Sequence, residues 1–116
     1  MYLTELLDGA AGRWPLKPAL IDGDATVSYA DLVQAVAGWT SQLHALGVTP
    51  GARVGLCHPN SITYVALTFA LWRAGAVVVP IPAECAEEEV STIATTLRLA
   101  AILGLKSRGQ SVTMPP

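Results

Sequence analysis

Residues 53–79 read RVGLCHPNSITYVALTFALWRAGAVVV, and this stretch decides the fold. The short apolar run at residues 54–57 predicts a buried strand, and Ser61 then follows as a residue that can cap a helix start. The apolar segment after Ser61 predicts a helix that runs to about Arg73. Residues 76–79 form a second continuous apolar run, which is typical of a parallel sheet covered on both faces. The stretch therefore predicts a strand–helix–strand unit.

The same part of the chain has the length of a membrane segment. Residues 62–83 carry a single charge, at Arg73, and are long enough to span a bilayer. Gly75 interrupts the segment, however, and Pro80 and Pro82 follow a β-branched run that favours strand structure. We therefore predict a buried helix followed by a buried strand, and no membrane span.

A second unit of the same kind follows in sequence. Residues 84–97 predict a helix, and residues 99–103 predict a third strand. The first turn of this helix is crowded by four glutamates, Glu84, Glu87, Glu88 and Glu89. They match the positive end of the helix dipole and lack the ordered spacing of a calcium loop. The strands recur about every 23 residues, as consecutive right-handed crossover units require. We predict an α/β fold with an open, three-layer βαβαβ parallel sheet.

The first part of the chain predicts two helices and a small hairpin. Residues 4–13 predict a short helix that ends before Pro15, because the residue before a proline avoids helical angles. A turn around Gly23 then joins two short strands in an N-terminal hairpin. Ser28 caps a longer helix, and Gly47 ends it. The apolar face of this helix is formed by Leu32, Val36, Trp39, Leu43 and Leu46.

The composition argues against several classes of function. Hydrophobic residues make up 52% of the 116-residue chain and charged residues only 14%, against about 25% in an average soluble domain, so we expect some apolar surface to be covered by a partner. The net charge of −2 gives no electrostatic footprint for nucleic acid or anionic lipid. Cys57 and Cys85 form no CxxC motif, which argues against a zinc site or a redox pair. Because the N-terminus has no export signal, we expect a cytoplasmic protein.

No motif in the chain defines a catalytic site by itself. Residues 104–107 read GLKS and match a phosphate-binding loop only in part, because leucine stands where glycine must precede the lysine. His44 and His58 could each act as a base, but the sequence places no nucleophile beside either, so structural roles are favoured. His58 follows a predicted parallel strand, at the edge where α/β sheets bind ligands. Trp39 and Trp72 are expected to pack in the core.

Four short pieces of the sequence carry a family resemblance. They are residues 27–32 (VSYADL), residues 46–54 (LGVTPGARV), Asn60-Ser61 and residues 74–80 (AGAVVVP). Their order and spacing resemble the N-terminal pattern of the adenylate-forming, AMP-dependent synthetases, a family that includes acyl-CoA synthetases and the adenylation domains of peptide synthetases. The resemblance covers residues 19 to about 103.

The resemblance implies the fold of a partial N-terminal subdomain of an acyl-CoA synthetase. Residues 1–104 would form this α/β part, and residues 105–116, which have no apolar period, are expected to be a mobile tail. The resemblance also implies a reaction in two steps. A carboxylate is joined to the α-phosphate of ATP with loss of pyrophosphate, and the acyl group then passes to a thiol. The complete enzyme would use ATP, Mg²⁺ and coenzyme A or phosphopantetheine.

The family's catalytic groups have no counterpart in this sequence. The glycine-rich phosphate loop, the acidic residues that contact ribose and the lysine of the C-terminal domain are all absent from these 116 residues. We therefore assign no catalytic, cofactor-binding or metal-binding residue to the chain, and we expect none of these cofactors to be bound by this chain alone.

Three hypotheses follow from these observations. The favoured one is an N-terminal fragment or subunit of an acyl-CoA or acyl-adenylate synthetase, structural and not catalytic by itself, whose partner is the remainder of the synthetase or a companion chain. The alternative is a free-standing, non-catalytic interaction module that docks a synthetase or a carrier protein. The third is a small nucleotide-binding domain that acts at residues 58–61. An exposed apolar edge or face would also favour a homo-oligomer.

Overall fold

The structure, a computed structural model, describes residues 3–59, 61–104 and 112–113. Its helices are α1 (Leu3–Arg13), α2 (Tyr29–Ala45), α3 (Ile62–Arg73) and α4 (Glu87–Leu97). Its strands are β1 (Pro18–Asp22), β2 (Ala25–Ser28), β3 (Arg53–Leu56), β4 (Val77–Pro80), β5 (Ala101–Leu103) and β6 (Val112–Thr113). The predicted helices, hairpin and three parallel strands are all present. None of the helices in the described ranges combines the length and the apolar character that crossing a bilayer would need.

The strands form a hairpin and a larger sheet. Strands β1 and β2 pair antiparallel, as the turn at Gly23 predicts. The larger sheet has the order β4-β3-β5-β6, in which β3 is parallel to both β4 and β5. The predicted α/β fold with a parallel βαβαβ sheet is therefore confirmed. Strand β6 pairs antiparallel with β5 and was not predicted. The rest of the segment that we expected to be a mobile tail, residues 105–111 and 114–116, lies outside the described residues.

The two faces of this sheet are covered differently. Helix α3 follows β3 and packs with α1 and α2 over one face, which we call the three-helix face. Alternate residues of the strands point to the opposite face, where α4 packs, and we call it the α4 face. Among the described residues, the largest fully buried side chains all lie on the three-helix face: Leu43, Leu56, Leu71, Val36 and Val54. The buried residues of the α4 face are Cys57, Ile81, Val90, Leu99 and Ile102.

The predicted helix caps are present. The Ser28 hydroxyl accepts a hydrogen bond from the Asp31 N–H at 3.1 Å, which starts α2. The Ser61 hydroxyl accepts one from the Tyr64 N–H at 3.1 Å, which starts α3. Gly47 follows α2 with a φ of +91°, a backbone angle that favours glycine. Local sequence signals therefore set both ends of α2 and the beginning of α3.

Two predictions were wrong, one about the start of a helix and one about the burial of a tryptophan. Helix α4 begins at Glu87 and not at Glu84, because Cys85 donates to the Pro82 carbonyl in a turn and the Glu89 carboxylate accepts from the Ala86 N–H at 3.1 Å. Only three glutamates therefore lie in its first turn.

The second wrong prediction concerns a tryptophan. Trp72 is 40% exposed instead of buried in the core, because it lies on the outer side of α3, whereas Leu71 in the same turn is fully buried. It contacts Phe69 edge to face, with the ring centroids 5.4 Å apart. Trp39 is partly buried and packs against the three-helix core, as predicted.

Strand β4 forms an outer edge of the larger sheet. Val77 donates to Ala52 and Ile81 donates to Leu56, so these N–H groups point toward β3. Backbone alternation then turns Val78 and Pro80 outward. Because Pro80 has no N–H, Val78 provides the one outward backbone donor of this strand.

Candidate functional site

The carboxyl ends of β3, β4 and β5 lie at the same edge of the sheet, where parallel α/β folds usually bind ligands. Backbone pairing continues one residue past the strands, since Cys57 donates to the Leu103 carbonyl at 2.8 Å and Ile81 donates to Leu56 at 2.9 Å. Gly104 directly follows β5 and lies against the backbone of Cys57. A Cβ atom at Gly104 would collide with the backbone carbonyl of Cys57, so glycine is what allows the two loops to approach.

A cavity opens between the loops that follow β3 and β4. Its volume is about 340 Å³, and it is lined by His58, Pro59, Tyr64 and residues 80–84. Proline rings and aliphatic side chains form most of the walls. The polar residues of the lining are His58, Tyr64 and Glu84. We call this the His58 cavity.

His58 is the buried polar residue of this edge, with 6% of its surface exposed. Its Nδ1 atom lies 2.8 Å from the carbonyl oxygen of Pro59 and 3.4 Å from the Ser61 hydroxyl. A carbonyl oxygen can only accept a hydrogen bond, so Nδ1 must carry a proton and donate it. Among the described residues, Nε2 of His58 has no hydrogen-bond partner. In the neutral ring, Nε2 is therefore an unpaired, buried acceptor.

The structure brings Ser61 close to His58, which the sequence did not allow us to predict. The pair nevertheless lacks the arrangement of a nucleophile and its base. Nδ1 already donates to Pro59, and the Ser61 hydroxyl already accepts from the Tyr64 N–H. A base that activates serine needs a free lone pair directed at the hydroxyl. The geometry therefore supports a positioning role for Ser61, as the cap of α3 and a neighbour of the imidazole.

A second cavity lies on the other side of Ser61. It has a volume of about 240 Å³ and separates the β1–β2 hairpin from the first turns of α3. Its lining is formed by Leu20, Ile21, Asp22, Ser61, Ile62 and Val65. No lysine or arginine lines either of the two cavities. Neither one has the cations that a polyphosphate would require.

The other residues considered from sequence lie away from this edge or have structural roles. His44 is exposed in the last turn of α2, where it was predicted. Glu87, Glu88 and Glu89 lie in the first turn of α4. In the part of the chain that the structure describes, no group of three or more histidine, cysteine or acidic side chains could hold a metal ion.

The two cysteines are brought into one cluster on the α4 face, although they are far apart in sequence. Both are free thiols. The Cys57 thiol is buried and donates to the Pro82 carbonyl at 3.5 Å, whereas Cys85 is partly exposed. Desolvation and the neighbouring Glu89 carboxylate raise the pKa of the Cys85 thiol. The thiol is thus kept protonated, and it is poorly suited to act as a nucleophile.

The parallel sheet, its two helical layers and the N-terminal hairpin define the N-terminal part of an adenylate-forming enzyme. The family model for AMP-binding enzymes matches residues 7–114, and the chain belongs to this family. The family predicted from the four sequence pieces is therefore confirmed.

Individual relatives agree with this assignment. The chain is 43% identical over 82 residues to the salicyl-AMP ligase / salicyl-S-ArCP synthetase of Mycobacterium tuberculosis, a match that covers 66% of this chain and 14% of that protein. It is 38% identical over 78 residues to a feruloyl-CoA synthase of an Amycolatopsis species, covering 60% of this chain and 16% of that protein. The chain thus spans about a sixth or less of the length of these relatives.

Solved structures show the same fold. The N-terminal domain of FACL13 from Mycobacterium tuberculosis superposes with a TM-score of 0.83 at 28% identity, over 90% of this chain and 27% of that one. An artificially fused adenylation-PCP di-domain, NpsA-ThdA from Klebsiella oxytoca, superposes with a TM-score of 0.86 at 18% identity, over 98% of this chain and 21% of that one. The predicted subdomain fold is confirmed.

Proposed function

We propose that this chain is the N-terminal scaffold of an acyl-CoA or acyl-adenylate synthetase and that it has no turnover by itself. The observation that carries the proposal is the match of residues 7–114 to the AMP-binding family, together with the 43% identity to a ligase of which the match covers only 14%. We further propose that residues 1–104 form the α/β part, to which β6 adds one edge strand at residues 112–113. The partner would be the remainder of the synthetase or a companion chain, in the cytoplasm.

The described residues do not fit the cofactors of the family's reaction. ATP and Mg²⁺ bring a triphosphate whose charge must be met by cations and amide donors. The one charged side chain that lines the His58 cavity is Glu84, a carboxylate that repels phosphate. We therefore propose that ATP, Mg²⁺ and the thiol acceptor, coenzyme A or phosphopantetheine, are bound by groups elsewhere in the complete enzyme.

The exposed apolar side chains support a scaffold that is covered by further protein. Large hydrophobic residues with at least 40% of their surface exposed occur on several elements: Leu6, Trp14, Leu16, Ile21, Leu46, Trp72, Val77 and Leu97. Ile21 is 72% exposed and lines the cavity beside α3. Scattered exposed apolar residues are normal on protein surfaces, but a half-exposed strand residue such as Val77 fits a sheet that further protein would cover.

A chimera tests the proposal directly. The segment of the Mycobacterium tuberculosis salicyl-AMP ligase that matches this chain is replaced by this chain, and salicylate-dependent ATP–pyrophosphate exchange is measured. We expect the chimera to retain exchange, because 43% identity over 82 residues preserves the core that the rest of the enzyme packs against. The same chimera with Leu71→Ala serves as a control with a weakened scaffold.

The isolated chain is assayed in parallel with salicylate and ferulate. We expect no exchange above the background without protein. Robust exchange by the isolated chain would refute the scaffold role. A folded chimera without exchange, together with binding of the isolated chain to an intact synthetase or carrier protein, would favour the alternative of a free-standing interaction module.

A further inference from the structure

Both cysteines of the chain lie in the apolar cluster of the α4 face. Cys57 directly follows β3 and is buried, with 5% of its surface exposed. Cys85 lies between β4 and α4 and is partly exposed. Both are free thiols. A small reagent in solution can therefore reach Cys85, whereas Cys57 is accessible mainly to its neighbours in the cluster.

One carbonyl oxygen connects the two cysteines. The Cys57 thiol donates to the Pro82 carbonyl at 3.5 Å, and the backbone N–H of Cys85 donates to the same oxygen at 3.1 Å. Leu56 pairs with Pro80 in the sheet, so the residues just past both strands are neighbours. Adjacent strands lie about 5 Å apart, and a disulfide joins Cα atoms about 4 to 7 Å apart. Strand pairing, and not a CxxC spacing, thus brings the cysteines together.

The surroundings of the two thiols suit a disulfide. Desolvation, the Glu89 carboxylate and the Cys57 thiolate, in this order, raise the pKa of the Cys85 thiol, so the two sulfurs lie within electrostatic range of each other. The rest of the cluster is aliphatic. A disulfide has no donor that needs a partner there, and its formation costs only the weak S–H bond of Cys57 to Pro82.

We propose that Cys57 and Cys85 form a reversible redox pair, which a low-molecular-weight disulfide converts into an intramolecular disulfide bond. The bond would join the loop after β3 to the loop after β4, and these two loops form walls of the His58 cavity. It would also close a covalent loop that contains α3 and β4. The redox pair does not rest on the scaffold role proposed above, and either proposal can fail while the other stands.

The bond forms in two exchange steps. The Cys85 thiolate attacks one sulfur of the small disulfide, whose S–S bond breaks and releases one small thiol. Cys57 then gives up its proton and attacks the Cys85 sulfur of this mixed disulfide, which releases the second small thiol. Two cysteine thiols are oxidised, and one small disulfide is reduced to two thiols. Because Cys85 is largely protonated, the first step is slow.

The test uses the full 116-residue chain with hydroxyethyl disulfide at pH 8. This oxidant is neutral, so the glutamates around Cys85 do not repel it. We expect the intact mass to fall by about 2 Da, the two hydrogens lost on oxidation, and dithiothreitol to restore it. Trypsin cuts after Arg73, which places Cys57 and Cys85 on different peptides, and these should be recovered as one linked pair.

A comparison with the unfolded chain shows whether the fold brings the thiols together. Titration with mercaptoethanol and hydroxyethyl disulfide gives the effective concentration of one thiol at the other, in buffer and in urea. We expect a value about hundredfold higher in the folded chain, because a native contact removes most of the entropy cost of closing the loop.

Two alanine variants separate the roles of the cysteines. Cys57→Ala should stop at the mixed disulfide on Cys85, since no second thiol can displace the small group. Cys85→Ala should leave Cys57 unmodified in the folded chain, because Cys57 is buried. Circular dichroism reports whether each variant is folded.

Four results would overturn the proposal. They are an effective concentration no higher in buffer than in urea, a mixed disulfide as the end product of the unsubstituted chain, disulfides between chains in place of the internal bond, and no reaction of either cysteine. All four are measured on the unsubstituted chain, so they decide the question even where Cys57→Ala fails to fold.

Discussion

The two faces of the larger sheet differ in how completely they are covered. Three helices pack over one face, and the side chains with the least exposure, such as Leu71 and Val36, lie there. A single helix covers the other face, where Val77 remains 50% exposed and Leu97 40% exposed. Burial of apolar surface is the main source of stability. Stability is therefore concentrated on the three-helix face, and the α4 face has room for further packing.

The helices themselves explain this difference. Helix α3 is apolar on nearly all sides and has one charged residue, Arg73, so it is suited to burial between the sheet and α2. Arg73 pairs with Asp8 at 2.7 Å and links α3 to α1 at the surface. Helix α4 carries polar residues along most of its length and buries only Val90 completely. An amphipathic helix of this kind packs its one apolar side against the sheet and leaves its polar side in solvent.

Matched leucine truncations provide the sharpest test of the comparison. Leu71→Ala on the three-helix face should lower the free energy of unfolding by about 4 kcal/mol, because the site is closed on all sides and a cavity would remain. Leu99→Ala on the α4 face should cost about 2.5 kcal/mol, since its surroundings can relax. Urea unfolding followed by circular dichroism measures both values. Equal losses would show that the two faces contribute alike.

Two glycines test the packing by the addition of a methyl group. Gly104→Ala should lower the free energy of unfolding by about 3 kcal/mol, because the new Cβ meets the backbone carbonyl of Cys57, which cannot move aside. Gly55→Ala should cost about 1 kcal/mol, since its Cβ meets only the terminal methyl groups of Ile81 and Leu99, at 2.9 Å each, on the looser α4 face.

Thermal and urea unfolding of the two alanine variants provide the measurement. A larger loss for Gly55→Ala than for Gly104→Ala would mean that the α4 face is packed as rigidly as the backbone at the carboxyl edge.

The smallest effect concerns Cys85 on the α4 face. Desolvation and Glu89 raise the pKa of this thiol, so the folded chain should bind its proton more tightly than the unfolded chain does. The associated stability is fully present below the ordinary thiol pKa, about 8.5, and is lost as the pH rises through the folded value. Alkylation of Cys85 by iodoacetamide at pH 8.5 should be slower than that of a thiol in the urea-unfolded chain.

Glu89→Gln is the matched variant for this prediction. It removes the negative charge, and its amide oxygen can still accept from the Ala86 N–H that caps α4. We expect faster alkylation of Cys85, followed by mass spectrometry so that Cys57 is counted separately. Unchanged rates would show that Glu89 does not contribute to the raised pKa of Cys85.

Much of the fold could be predicted because its signals are local. Ser28 and Ser61 cap their helices through hydrogen bonds to residues three positions along the chain. The pattern of apolar residues predicts the strands of the sheet. Trp72 and Glu84 were placed wrongly because their surroundings depend on contacts beyond their own elements. Trp72 lies on a side of α3 that the core does not cover, and Glu84 lies inside a turn that the Cys85 N–H closes onto the Pro82 carbonyl.

The candidate site was harder to predict than the fold. Its position after β3 followed from the parallel sheet, but the unpaired state of Nε2 depends on the Pro59 carbonyl, on Ser61 and on a loop about 25 residues further along the chain. The proximity of Cys57 and Cys85 likewise follows from the pairing of β3 with β4. Such long-range placements are set by tertiary structure, and a pattern of residue types does not encode them.

The proline in the outer strand limits how the chain can associate with others. Growth of fibrils and swapping of strands between copies both proceed by adding a new strand to an open edge, and each step uses a row of free N–H groups. Pro80 shortens that row on β4 to Val78. A chain with 52% hydrophobic residues is thereby protected from ordered polymerisation at this edge, so self-association across β4 would proceed through side chains.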